Sequence, residues 1–138
     1  MPHETAQAPE LEAMAETILI VDDCATTRRL LSVYLRQEGY DLVHAVNGLD
    51  ALEKLALRSV DLVITDMNMP QMDGVALARA LKQDPVFKWI PIVMLTTEGE
   101  ERERQHGLEA GAAAYLIKPV TQEQLAQEVR RTLTSGRN

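Results

Sequence analysis

From Thr17 onward, short apolar runs alternate with segments of helical period. The runs are Ile18–Val21, Leu62–Thr65, Ile90–Leu95 and Ala114–Ile117, with a weaker one at Leu42–Val46. They are short and rich in Val, Ile and Leu, the signature of strands buried on both faces of a parallel sheet. The intervening segments repeat their apolar residues every three or four positions. Leu30, Leu31, Tyr34 and Leu35 share a face of a helix over 25–38, as do Leu52, Leu55 and Ala56 over 48–58. Val75, Ala78 and Leu81 do so over 74–83, and Leu125, Val129 and Leu133 over 122–134. A further helix over 100–110 is mostly polar, with Leu108 and Ala110 among its few apolar residues.

The punctuation agrees with these elements. Gly39 suits the left-handed position after the first helix, and Asn47 suits the cap of the second. Asp84-Pro85 stops the third, because proline disfavours helical geometry in the residue before it. Gly111 closes the fourth, and Thr121 with Gln124 forms a capping box for the fifth. The expected architecture is (βα)5, a doubly wound five-stranded parallel sheet with helices on both faces and right-handed crossovers.

Residues 1–16 do not fit this alternation. They contain Pro2, Pro9 and four glutamates, with Leu11 and Met14 as the large apolar residues. Too little surface can be buried there to offset the ordering entropy, so an acidic disordered arm is expected, with a short helix over 10–16 as the most it forms. The chain divides into this arm, one domain over 17–134 and a tail over 135–138. No room is left for a separate output domain, so any output is expected to be a surface.

Composition narrows the functional classes. The chain has 138 residues, 14 Lys plus Arg, 21 Asp plus Glu and a formal net charge of −7. That balance argues against non-specific nucleic-acid binding, which depends on neutralising phosphates. The single cysteine, Cys24, excludes an internal disulfide framework and fits a reducing compartment. No apolar run approaches the ~20 residues of a membrane helix, and the N-terminus has no secretory signal. A cytoplasmic monomer is expected.

The remaining acids are clustered. In open parallel sheets, ligands bind beyond the carboxyl ends of the strands. Strand one ends in Asp22-Asp23, strand three in Asp66, strand four in Thr96-Thr97-Glu98 and strand five in Lys118-Pro119. Three carboxylates against one ammonium repel one another unless a cation joins them. Mg²⁺, which prefers few carboxylates together with retained waters and a phosphate ligand, suits such a set. The strand ends therefore predict Mg²⁺-dependent chemistry on a phosphorylated partner.

Val-Asp-Asp at 21–23, Asp-Met-Asn-Met-Pro-Gln-Met-Asp-Gly at 66–74, Thr96 and Tyr-Leu-Ile-Lys-Pro at 115–119 complete a known pattern. In this order and spacing, over about 17–134, the sequence resembles the receiver domains of bacterial two-component response regulators. Arg28-Arg29, Asn68 and Glu98 make it most similar to the single-domain chemotaxis type. The resemblance implies a flavodoxin-like sheet of order 2-1-3-4-5 and a cis peptide at Lys118-Pro119. It implies that Asp66 is the phosphoacceptor, taking its phosphoryl group from a histidine kinase or a small donor. It implies that Asp23, Asp66 and the Asn68 backbone carbonyl hold Mg²⁺, with Asp22 acting through a metal-bound water. Lys118 and the Thr96 hydroxyl would contact phosphoryl oxygens. Thr96 and Tyr115 would form the switch, and Asn68 and Glu98 would tune dephosphorylation. The target protein would bind the face of helix four, strand five and helix five, where Glu100–Arg104 is a run of charges.

Departures from the pattern are Thr97, where a smaller residue is common, and Val120, where an aromatic is common. His44 and His106 lack ligand spacing to another His or Cys and are expected to be structural. Met67, Met69 and Met72 are expected to pack rather than bind metal. Cys24 lies at a helix start, where a thiol pKa can fall. Trp89 lies far from the acidic strand ends. The expected function is a stand-alone phosphorylation switch rather than an enzyme with a substrate pocket. A phosphorelay intermediate carrying phosphoryl groups between histidine sites shares every one of these residues and is the alternative.

Overall fold

A computed structural model describes residues 15–97 and 99–135. The expected arm over residues 1–14, Glu98 and residues 136–138 lie outside the described residues.

Among the described residues, five strands and five helices alternate. They are β1 (Thr17–Val21), α1 (Ala25–Arg36), β2 (Asp41–Ala45), α2 (Gly48–Leu57), β3 (Leu62–Asp66), α3 (Gly74–Gln83), β4 (Ile92–Thr96), α4 (Glu101–Glu109), β5 (Ala114–Ile117) and α5 (Gln122–Ser135). The sheet is wholly parallel, in the order β2-β1-β3-β4-β5.

Alternation along each strand sorts the core into two layers. Leu19, Val21, Val63 and Met94 face Ala51, Leu55, Leu77 and Leu81, so α2 and α3 cover that side. Ile18, Ile20, Ile64 and Leu95 face Leu31, Leu35, Leu125 and Val129, so α1 and α5 cover the other. The helix ends use the punctuation expected of them. Gly39 and Gly111 have φ of 94° and 116°. The Asn47 side chain accepts from Asp50 N–H at 2.9 Å. Thr121 and Gln124 exchange both bonds of the capping box, at 2.9 and 3.0 Å. Asp73 also caps α3, accepting from Ala76 N–H at 2.9 Å.

Several boundaries shift by a residue or two from expectation, and that of the fourth strand has a clear local cause. The fourth strand begins at Ile92 rather than Ile90. The Asp84 carboxylate gathers the N–H groups of Val86 and Phe87, and Ile90 N–H bonds the Phe87 carbonyl, so Ile90 belongs to a turn. Lys82 fixes that turn by donating to the carbonyls of Lys88 and Ile90 at 3.1 and 2.9 Å. The ladder resumes only at Pro91, whose carbonyl accepts from Val63 N–H.

Candidate functional site

Register brings the chemistry together. Val21 lies opposite Thr65, so Asp22 follows directly beside Asp66. Asp66 lies opposite Leu95, and Thr96 opposite Ile117, so Lys118 emerges one residue beyond the same level. Asp22, Asp66 and Lys118 also continue the alternation of Ile20, Ile64 and Leu116, which face the α1 and α5 side.

Lys118 is the hub. Its Nζ donates to Asp22 Oδ2 at 2.8 Å and lies 3.7 Å from Asp66 Oδ1. Burial pulls the ammonium toward neutrality. The hydrogen bond and charge of Asp22, with the charge of Asp66, more than offset this and hold the Lys118 pKa above its ordinary value. The Lys118-Pro119 peptide is cis, as the family resemblance implies. Lys118 N–H also donates to the Thr96 carbonyl at 2.7 Å, tying the ends of β4 and β5 together.

Asp22 is buried. Its second oxygen, Oδ1, accepts from Cys24 N–H at 2.8 Å, and its own carbonyl accepts from Arg28 Nη1 at 2.5 Å. Asp23 is exposed. One carboxylate oxygen from each of Asp22, Asp23 and Asp66 lies within 4.8 Å of the others, a spacing that can hold a metal ion. The donor set is all oxygen, suited to a hard divalent cation.

Asp66 is half-buried. Burial raises its carboxyl above the ordinary range. The Lys118 charge pulls it down, the Asp22 charge pushes it up, and the N–H groups of Met67 and Asn68 pull it down. The loop after it is tightly bent, with positive φ at Gln71 (54°) and Met72 (77°). A Cβ on Gly74 would come within 2.2 Å of the Asp66 carbonyl oxygen, so only glycine fits there. The motif contains this glycine, but its steric reason appears only in three dimensions.

The other expected site residues are placed as follows. Thr96 is buried at the end of β4, and Asn68 is exposed beside Asp66. Tyr115 is half-buried against the α2–α3 core layer, with its hydroxyl 4.0 Å from the Met67 sulfur. Met67 is buried, Met69 packs on the same layer and Met72 lies against Gly48, so the loop methionines pack. His106 is exposed on α4. Cys24 is exposed, and hydrogen bonding from Thr27 lowers its thiol pKa.

A parallel sheet of this order, with an acidic cluster and a lysine at its carboxyl edge, is the arrangement expected of a receiver domain. Residues 18–130 match the response regulator receiver domain family, and the chain belongs to it. It is 41% identical to chemotaxis protein CheY1 of Helicobacter pylori over 118 residues, covering 84% of this chain and 95% of that one. It is 39% identical to the phosphate regulon transcriptional regulatory protein PhoB of Pseudomonas aeruginosa, covering 87% of this chain but 52% of PhoB. Among solved structures, the receiver domain of a signal transduction histidine kinase from Syntrophus aciditrophicus superposes with a TM-score of 0.82. That domain shares 40% identity, with 88% of this chain and 92% of that one covered. No helix among the described residues is long and apolar enough to cross a membrane.

Proposed function

We propose that the chain is a response regulator switch that accepts a phosphoryl group on Asp66 from a histidine kinase and signals by a change in protein binding, in the manner of the chemotaxis regulators. The observation that carries this is the geometry of Lys118, 2.8 Å from Asp22 and 3.7 Å from Asp66, beside three carboxylates within 4.8 Å. Asp23, Asp66 and the Asn68 carbonyl would hold Mg²⁺, with Asp22 acting through a water. Bound there, the cation supplies charge neutralisation for the incoming phosphoryl group.

An Asp66 carboxylate oxygen forms the new bond to phosphorus while the phosphorus–nitrogen bond of the donor phosphohistidine breaks, and the electron pair leaves with the imidazole. Phosphoryl transfer needs positioning and charge stabilisation more than covalent help. Lys118, held cationic by Asp22, neutralises one phosphoryl oxygen, and the Thr96 hydroxyl donates to another. Thr96 and Tyr115 then relay the change to the face of α4, β5 and α5. A groove of about 450 Å³ on that face, lined by Tyr115, Ile117, Val120, Gln124 and Arg131 among others, supports its use by a target protein. Asn68 and Glu98 would set how fast water removes the phosphoryl group. The chain thus catalyses only its own phosphorylation and dephosphorylation.

Acetyl phosphate with Mg²⁺ should give a labile phosphoryl adduct in intact-mass measurement. The adduct should vanish in Asp66→Asn and in chelator. A protein that stays unmodified in Mg²⁺ would refute the assignment.

A further inference from the structure

A second charged feature lies outside the acidic site. Between α1 and the edge strand β2 is a cleft of about 260 Å³, lined by Arg28, Arg29, Ser32, Val33, Arg36 and His44 among others. The helical period puts residues 28, 29, 32, 33 and 36 on one stripe of α1. The result is three arginines lining one concave surface. Elsewhere on the surface Arg58, Arg104, Arg130 and Arg131 each pair with a carboxylate. Among the described residues, no carboxylate forms an ion pair with Arg28, Arg29 or Arg36 within 4.0 Å.

His44 faces the arginine-bearing helix from β2 and is held in place. His44 Nε2 and Ser32 Oγ are 2.5 Å apart, and Lys54 Nζ donates to the His44 carbonyl at 2.7 Å, bringing a fourth cation near the cleft. Burial depresses the His44 pKa, and the charges of Arg28, Arg36 and Lys54 depress it further, so the ring sits in their combined positive field. The cleft is also linked to the acidic site, because Arg28 holds the Asp22 carbonyl.

We propose that the α1–β2 cleft is a binding site for a small phosphate-bearing anion. Planar guanidiniums match phosphate oxygens in pairs, and several on one wall suit a dianion better than a carboxylate. The shared chemistry is the phosphate group, which a free polyphosphate or the tail of a nucleotide can supply.

The test is a titration of ¹⁵N-labelled protein with pyrophosphate, ADP or adenosine, in chelator and at fixed ionic strength. Saturable shifts at the amides of Arg29, Ser32, Arg36 and His44 are expected with pyrophosphate and ADP, and none with adenosine. Tighter binding of pyrophosphate assigns the site to free polyphosphates, and tighter binding of ADP assigns it to nucleotides. The double variant Arg29→Ala/Arg36→Ala should bind about tenfold more weakly or worse, as expected on losing charge-assisted bonds. Its melting temperature and dispersed spectrum should match the wild type. Non-saturating shifts, shifts centred on Asp22, Asp66 and Lys118, or an unchanged affinity in the double variant would each overturn the proposal.

Discussion

Asp66 carries a cost in the metal-free protein. Its carboxyl is raised chiefly by burial, and Asp22 adds to this against the pull of Lys118. A raised acid stabilises the fold below its unfolded pKa and loses that contribution as pH rises through the folded value. Ionised Asp66 is therefore unfavourable at neutral pH, and Asp66→Asn should stabilise the protein. A gain of about 1 kcal/mol, roughly 4 °C in Tm for a domain of this size, is expected by calorimetry at pH 7 in chelator. It should shrink below the ordinary carboxylate range, where both states are protonated. A lower Tm for the variant at pH 7 would contradict the burial argument. Lys118 has the opposite sign. Lys118→Ala leaves the buried Asp22 without its cation and should cost about 2 kcal/mol or more, read from urea denaturation at pH 7. Asp22, Asp66 and Lys118 were legible in the sequence because each directly follows an apolar run. Arg28 on the Asp22 carbonyl and Ser32 against His44 were not, because backbone partners leave no mark in the sequence and 12 positions separate that serine from its histidine.

The elements that hold these residues were legible wherever periodicity or a cap announces them. They were illegible where a turn overrides composition, as when Asp84 and Lys82 draw Ile90 out of the fourth strand. The β3–α3 loop is the sharper case. Gly48 N–H donates to the Met72 carbonyl at 2.9 Å, and Asn47 Nδ2 donates to Gln71 Oε1 at 3.2 Å, so the start of α2 braces the loop behind Asp66. Methyl groups cannot be admitted at its end, where Gly74 presses on the Asp66 carbonyl. Gly74→Ala should therefore cost about 2 kcal/mol or more, the range of overpacking against backbone, with amide shifts at Asp66 and Met67. Wild-type stability in that variant would mean the loop yields. Thr121→Ala, by contrast, should cost only about 1 kcal/mol, the usual loss of a cap, and leave Asp66 undisturbed.

Across the whole molecule, a parallel sheet separates its two ends chemically. Every group of the acidic site lies at or just beyond a strand's carboxyl end, and the single tryptophan precedes β4 at the other. Trp89 is 78% exposed, with Lys88 Nζ 5.0 Å from its ring centroid, and it belongs to neither core layer. Its surroundings are solvent and its own turn, so events among Asp22, Asp23 and Asp66 have no packed route to it. A cation bound by those acids stabilises the fold by mass action, by about 2.7 kcal/mol at a hundred times its Kd. Mg²⁺ should thus raise Tm by several degrees while leaving Trp89 emission essentially unchanged in wavelength and intensity. The two measurements on one sample separate a local from a global response. A Tm shift with silent emission supports a cation held at the carboxyl ends. An emission change that tracks the Tm shift would require a rearrangement reaching through β4 to the opposite end, which the closely packed core layers oppose.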